Sequence, residues 1–177
     1  KTSEMETKEK MLDFCIEVSL HQDNVFKETV GFSKTLFAMP DSLNIKSMLD
    51  NIFIFKRHLP EHDIYIIHSN PEIGMTKNGN PLNERDEFLD EIDKSKNCLI
   101  FHYDILSEGI DISGITGVAL LRTLTTCKLL QTVGRALRTC WINGLQVKNY
   151  ALISVPIWSD CEDDLQNVYN HIKILRS

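Results

Sequence analysis

The stretch that decides the fold is residues 98–138, which read CLIFHYDILSEGIDISGITGVALLRTLTTCKLLQTVGRALR. It contains two short apolar runs, Cys98–Phe101 and Val118–Leu121, and a polar segment follows each of them. Short apolar runs bounded by turn-forming residues are typical of strands that are buried on both faces. The stretch therefore predicts two parallel strands that are neighbours in the sheet, with functional groups gathered where each strand ends.

A helix is predicted after the second run, from about Thr126 to Thr139. On such a helix Gln131, Arg135 and Arg138 fall within roughly 60° of one another, because an α-helix has 3.6 residues per turn. The opposite side carries Leu129, Leu130, Val133 and Leu137. Arginine keeps its charge and offers a planar fork of donors, so the polar stripe predicts phosphate recognition. The alternative is a solvated amphipathic face.

Gly134 lies inside this predicted helix, where glycine costs about 0.5–1 kcal/mol relative to alanine. That cost predicts that another backbone or a ligand passes close to the helix at this point.

The rest of the chain alternates between helical and strand-like patterns. Helices are predicted over residues 3–22, 41–52, 83–95 and 159–175, and further strands over 35–39, 64–67 and 150–155. Residues 71–81 are polar and rich in turn-forming types, which predicts a loop. Apolar strands that alternate with helices predict a doubly wound, three-layer α/β fold, in which a parallel sheet has helices on both faces.

Length and composition favour a single domain over residues 1–177. We divide it into an N-terminal helix and connection (1–30), a core (31–157) and a C-terminal helix (158–177). The chain begins with lysine, which favours a fragment of a longer protein. It has neither a signal peptide nor a long apolar run, so we expect a cytoplasmic protein without a membrane partner.

Charge and metal-ligand spacing exclude two classes of function. A net charge of −6 is wrong for a protein that holds nucleic acid by bulk electrostatics, so any such contact must be local. The five cysteines have no C-x-x-C spacing, and no metal site is expected. The acidic run Leu89–Asp93 is interpreted as a helix with Asp90, Glu91 and Asp93 in water, and not as a magnesium motif.

The motifs Glu108-Gly-Ile-Asp111 and Gln131-Thr-Val-Gly-Arg-Ala-Leu-Arg138 resemble those of the second RecA-like lobe of superfamily 2 helicases and translocases. The similarity covers roughly residues 33–157. The order and spacing of the motif residues over 84–131 are most similar to those in the motor subunits of type III and type I restriction enzymes. The resemblance implies a RecA-like, P-loop NTPase-like fold, in agreement with the order of elements derived above.

The resemblance also implies roles for individual residues. Arg135 and Arg138 would be arginine fingers that reach the γ-phosphate of ATP held by the first lobe, with Gln131 beside them. Gly109, Asp111 and Gly134 are the nucleotide-binding candidates.

The implied nucleic-acid contacts lie at the ends of two strands. They are Ser69, Asn70, Tyr103, Ser107 and Glu108. Tyr103 departs from the family, which has threonine at this place as a contact to a backbone phosphate. Its hydroxyl could still donate to a phosphate. Packing of its ring against the sheet is the alternative.

The chain contains no Gly-x-x-x-x-Gly-Lys-Ser/Thr loop, so it cannot form a complete ATP site alone. We therefore expect the second motor lobe of an ATP-dependent helicase or translocase. Its partners would be a first lobe in cis, DNA (with RNA as the alternative) and restriction-modification subunits. ATP and Mg²⁺ would act in the full-length enzyme, the metal being held mainly by the first lobe, and the isolated domain would be inactive. The alternatives are a non-catalytic interaction module with this fold and a nucleotide-sugar-binding lobe of a glycosyltransferase.

Overall fold

The computed structural model describes residues 3–103, 112–122, 140–142, 145–148 and 150–156, together with Gly134, Asn170 and Lys173. The helices are α1 (Ser3–Thr29), α2 (Ser42–Asp50), α3 (Ile52–His58) and α4 (Arg85–Lys94). The strands are β1 (Lys34–Ala38), β2 (Asp63–Ile67), β3 (Met75–Lys77), β4 (Asn80–Leu82), β5 (Cys98–His102), β6 (Gly117–Leu120), β7 (Cys140–Ile142), β8 (Leu145–Lys148) and β9 (Leu152–Ser154).

Seven of these strands form one sheet in the order β4-β3-β2-β5-β1-β6-β9, and β7 pairs with β8 in a separate antiparallel ribbon. Strands β2, β5, β1, β6 and β9 are mutually parallel, whereas β3 and β4 add an antiparallel hairpin at one edge. In register, Lys34 of β1 faces Cys98 of β5, and Thr35 faces Gly117 of β6. The predicted α/β fold with a mostly parallel sheet is confirmed.

Side chains alternate across the sheet and divide the core into two layers. Phe37, Met39, Ile64 and Ile66 pack on one face against residues of α1, α2 and α3. Leu36, Ala38, Tyr65 and Ile67 pack on the other face with Phe88 and Ile92 of α4 and with Ile112 and Ile115. Because successive strand residues point to opposite faces, a run that is apolar throughout can serve both layers at once.

Two predicted helices differ in their bounds. Helix α1 continues to Thr29, seven residues beyond the predicted end, because no proline or glycine interrupts the chain before Gly31. The helix predicted over 41–52 is divided at Asn51, the shared cap between α2 and α3. Asp41 caps α2, since its Oδ1 accepts the backbone N–H of Asn44 at 2.7 Å.

The loop predicted over residues 71–81 is wrong in its second half, which forms β3 and β4. Asn78 (φ 51°) and Gly79 (φ 83°) both adopt left-handed backbone at the tip. An Asn-Gly pair in this conformation makes the tight turn whose twist fits a two-stranded hairpin. The hairpin is fixed to β2 because Asn78 accepts the N–H of Ile64 and donates to Asp63.

The C-terminal prediction falls mostly outside the described residues. Asn170 and Lys173 are helical, as the helix predicted over 159–175 requires. No helix within the described ranges combines the length and the apolar character that crossing a membrane would require.

Candidate functional site

The carboxyl ends of four neighbouring parallel strands form one edge of the sheet. Strands β2, β5, β1 and β6 are followed there by His68, Tyr103, Met39 and Leu121. The ladder continues past the strands, because Met39 N–H donates to His102 O at 2.9 Å and Leu121 N–H donates to Ala38 O at 3.0 Å. These strand ends are therefore level. In open α/β sheets ligands bind outside this edge.

Tyr103 and Arg122 meet across the end of β1. The guanidinium carbon of Arg122 lies 4.0 Å from the centroid of the Tyr103 ring, and Arg122 Nη1 donates to the Tyr103 carbonyl at 3.3 Å. A guanidinium over an aromatic face at this distance is a cation–π contact, worth about 0.5–1 kcal/mol at an exposed site. One side chain thus joins the ends of two strands that do not pair with each other.

His68 adds a second ring beside Tyr103. The two ring centroids are 6.1 Å apart and tilted. His68 Nδ1 accepts the backbone N–H of Asn70 at 2.9 Å, which fixes the orientation of the imidazole. His68, Tyr103 and Arg122, which we call the edge cluster, therefore follow three different strands and lie next to one another. The sequence analysis did not propose His68 or Arg122 as site residues. The one signal for them in the sequence is that each comes directly after an apolar run.

Tyr103 is 36% exposed, and its ring contacts His68 and Arg122. Packing of the ring against the sheet stays the alternative raised from the sequence. Contact with a phosphate through the hydroxyl stays a prediction. The structure adds an interaction that the sequence did not suggest, namely that the ring face carries Arg122.

The predicted pair Ser69 and Asn70 lies in the turn after β2, and both residues are exposed. Asn70 Oδ1 accepts the N–H of Glu72 at 3.0 Å, and the Asn70 carbonyl accepts the N–H groups of Ile73 and Gly74. The oxygen atoms of Asn70 thus stabilise its own turn. Its role in ligand binding stays a prediction, as does that of Ser69.

We expected the two sequence motifs to follow strands that are neighbours in the sheet. They do not. Strand β1 lies between β5 and β6, since it pairs with both. Their ends are consequently about 10 Å apart, or two strand spacings. Hydrophobicity identifies a buried strand but not its neighbours.

Most of the candidate residues within the two motifs lie outside the described residues. These are Ser107, Glu108, Gly109, Asp111, Gln131, Arg135 and Arg138. Gly134 is helical, as predicted. A Cβ atom at Gly134 would meet nothing within 4 Å in the described surroundings, so these contain no backbone whose close approach would require glycine. A ligand contact at Gly134 stays a prediction.

The acidic run in α4 behaves as a helix surface. Phe88 and Ile92 are buried, whereas Asp90 and Asp93 are exposed. Glu91 forms an ion pair with Lys77, with 2.6 Å between Oε2 and Nζ, and this pair holds the pKa of the Glu91 carboxyl below its usual value. No group of three or more metal-ligand side chains occurs among the residues that the structure describes.

A cavity of about 360 Å³ lies at the opposite, amino edge of the sheet, between the end of α1 and the segments that precede β2 and β5. Its wall includes the buried His62, whose Nε2 lies 3.6 Å from Asp23 Oδ1. Burial lowers the pKa of His62, and the negative charge of Asp23 opposes that shift only in part. The position of His62 in the fold therefore disfavours its charged form.

No protein-family model and no curated protein sequence matches this chain. Solved structures do match it. The C-terminal domain of the DEAD-box protein Dbp5 superposes with a TM-score of 0.51 and 17% identity, covering 87% of this chain and 78% of that one. A variant of the S. cerevisiae Dbp5 C-terminal domain, bound to a Gle1 variant and IP6, superposes with a TM-score of 0.50 and 16% identity over 89% of this chain and 80% of that one.

A third match is the ATP-dependent type ISP restriction-modification enzyme LlaBIII bound to DNA. It has a TM-score of 0.50 and 18% identity, over 82% of this chain but only 10% of that much longer protein. The chain has the RecA-like fold of helicase C-terminal lobes. At 16–18% identity, the likeness establishes this fold alone.

Proposed function

We propose that this chain is the second motor lobe of an ATP-dependent nucleic-acid helicase or translocase. The observation that carries the proposal is the combination of fold and motif position. The chain has the fold of helicase C-terminal lobes, and its Gln-x-x-Gly-Arg-x-x-Arg motif comes after the parallel strand β6 in the sequence.

The arginines of that motif supply the chemistry. Arg135 and Arg138 reach the γ-phosphate of ATP bound to a first lobe in cis, and Gln131 helps to place the nucleotide. Positive charge at this point stabilises the transition state of phosphoryl transfer, and a single arginine finger accelerates other nucleotide hydrolases about 10³–10⁵-fold. Gly109, Asp111 and Gly134 line the nucleotide from this lobe, and Mg²⁺ is held mainly by the first lobe.

The chain supplies half of this active site. It lacks a phosphate-binding loop of the Gly-x-x-x-x-Gly-Lys-Ser/Thr type, so it hydrolyses no ATP alone. Closure of the two lobes on ATP and their reopening after hydrolysis would move the bound strand, as in other hinge-type cycles.

The nucleic acid is DNA in this proposal, with RNA as the alternative. The similar restriction enzyme was solved bound to DNA. The order and spacing of the motif residues over 84–131 also favour restriction-modification subunits as partners. The contacts on this lobe would come from Ser107 and Glu108, from the turn at Ser69 and Asn70, and from Tyr103.

A full-length enzyme that includes the first lobe tests the proposal. The wild-type protein should hydrolyse ATP faster when single-stranded DNA or RNA is added. Arg138→Ala should lower the turnover number by at least about two orders of magnitude, because it removes charge from the transition state. The matched control is Arg57→Ala, which changes an exposed arginine at the end of α3.

Circular dichroism and thermal unfolding should be the same for both variants. If Arg138→Ala turns over as fast as Arg57→Ala, the finger assignment is wrong. An intact protein without any ATPase activity would favour the non-catalytic interaction module.

A further inference from the structure

We propose that Tyr103 and Arg122 together form a binding element for a backbone phosphate of single-stranded nucleic acid. Arg122 donates to the phosphate, and the ring of Tyr103 is the positioning residue that holds the guanidinium in place. The identity of the ligand rests on the proposed function, whereas the contact between the two side chains rests on the geometry alone.

The guanidinium of Arg122 is oriented before any ligand arrives. Its planar group lies over the Tyr103 ring with the guanidinium carbon 4.0 Å from the centroid. A hydrogen bond from Nη1 to the Tyr103 carbonyl, at 3.3 Å, fixes its rotation. One of the five N–H donors of an arginine is used in this way. Among the residues that the structure describes, no partner is recorded for the others, and a fork of parallel donors is the group that best matches phosphate oxygens.

The charges around Arg122 leave its positive charge uncompensated within the described residues, none of which places a carboxylate within 4.0 Å of its guanidinium. Asp41 follows β1, the strand between β5 and β6. Its Oδ1 already accepts two hydrogen bonds from Asn44, at 2.7 and 2.9 Å. In a protein with a net charge of −6, such a local cation is the kind of group on which an anionic strand can be held.

The position of the pair suits a strand that runs across several strand ends. Arg122 comes from β6 and Tyr103 from β5, and the side chain of Arg122 passes over the end of β1 between them. His68, at the end of β2, continues the edge cluster in the same direction. A chain of phosphates laid along this edge would meet the donors of Arg122 without entering the sheet.

The role assigned to Tyr103 differs from a contact through its hydroxyl group. In this proposal the aromatic face matters and the hydroxyl does not, because it is the face that binds the guanidinium. Tyr103→Phe should therefore behave as the wild type, whereas Tyr103→Leu should not. Arg122→Lys should be intermediate, since lysine keeps the charge but loses the planar fork.

The experiment measures binding of a dye-labelled oligo(dT) to the 177-residue chain by fluorescence anisotropy at several salt concentrations. Arg122→Gln should weaken binding about tenfold, as expected for the loss of a charge-assisted contact. It should also reduce the slope of log K against log salt by about 0.7, the value for one phosphate of a single strand. Tyr103→Leu should shift both quantities in the same direction. Arg57→Gln, at the opposite edge of the sheet, is the control and should shift neither.

Two results with oligo(dT) would overturn the proposal while leaving the helicase function intact. One is an Arg122→Gln variant with wild-type affinity and slope. The other is a Tyr103→Phe variant that binds as weakly as Tyr103→Leu, which would assign the contact to the hydroxyl.

A second experiment measures binding of a non-hydrolysable ATP analogue to the full-length enzyme. If Arg122→Gln weakens binding of the analogue but not of oligo(dT), the phosphate belongs to the nucleotide and the proposal is wrong.

The failure of the proposed function has a different signature. If Arg138→Ala retains full ATPase activity while Arg122→Gln weakens oligo(dT) binding, the arginine-finger assignment falls and the Tyr103–Arg122 element stands. A wild-type chain that binds no oligo(dT) even at low salt overturns both the nucleic-acid part of the proposed function and this inference.

Discussion

The carboxamide of Gln22 occupies the space that a Cβ atom on Gly117 would fill. Gln22 is fully buried on α1. Its Oε1 accepts the hydroxyl of Thr35 on β1 at 3.2 Å, and its Nε2 donates to the hydroxyl of Ser154 on β9 at 3.3 Å. A single side chain of α1 therefore touches three strands of the sheet, and it can do so only because the middle one, β6, begins with glycine.

Gly117→Ala is expected to destabilise the fold by about 1–3 kcal/mol, the usual cost of overpacking a core. The new methyl group would displace the Gln22 carboxamide and break its bonds to Thr35 and Ser154. Urea denaturation monitored by circular dichroism measures the change in the free energy of unfolding. Gly134→Ala is the matched control, since a Cβ there meets nothing within 4 Å in the described surroundings.

The same clash predicts coupling between the two positions. Adding Gln22→Ala to Gly117→Ala should relieve the overlap, so the double variant should be more stable than the sum of the two single changes implies. Strict additivity would mean that the Gln22 side chain moves aside without cost.

The turn between β3 and β4 should depend on Asn78 for two separate reasons. Its φ of 51° is unfavourable for most residues, and its side chain bonds Ile64 and Asp63. Asn78→Ala should cost about 2–3 kcal/mol because it loses both advantages. Asn78→Gly keeps the backbone freedom and should cost less. Thermal unfolding of the two variants gives the order, and equal costs would contradict the contribution of the backbone.

The protonation of His62 should destabilise the protein at mildly acidic pH. Burial lowers the pKa of His62 in the folded state, so the unfolded chain takes up its proton first as the pH falls. Its contribution to stability is complete above the unfolded pKa of about 6.5 and is lost as the pH falls below that value towards the folded pKa. His62→Gln should therefore reduce the difference in unfolding free energy between pH 7.5 and pH 5.5.

The exposed His58→Gln provides the control for this measurement and should leave that difference unchanged. An unaltered pH dependence in His62→Gln would show that other groups cause the acid sensitivity.

Lys34 should stabilise the end of α4. It is buried at the start of β1, and its Nζ donates to the carbonyl of Ile92 at 2.9 Å. The last carbonyls of a helix have no partner within it, and a cation there also complements the helix dipole. Lys34→Met should cost about 1.5–3 kcal/mol, measured by urea denaturation. Lys96→Met, at an exposed position, should cost close to nothing.

The buried strands could be predicted from the sequence because each is a continuous apolar run. Residues 98–101 and 64–67 were identified to within one residue, since only a strand packed on both faces tolerates such a run. The hairpin at 75–82 was missed because Pro71, Gly74 and Pro81 outweighed the Asn78-Gly79 pair, which is the stronger local signal.

The site could be predicted only in part. The sequence indicated that polar groups gather at the strand ends, and Tyr103 does lie there. It could not indicate that β1 separates β5 from β6, because strand order depends on long-range pairing. For the same reason it gave no sign that Arg122 lies on the ring of Tyr103. That contact joins residues whose strands both pair with a third one.

The central position of β1 also determines when the edge cluster can form during folding. Tyr103 and Arg122 have fixed positions only after β5 and β6 have each paired with β1, which lies far back along the chain. Both loops must be closed, at an entropic cost, before either side chain has a place. The Tyr103–Arg122 contact therefore forms late in the folding of this domain, and a nascent chain that ends before Arg122 contains only the His68–Tyr103 side of the edge cluster.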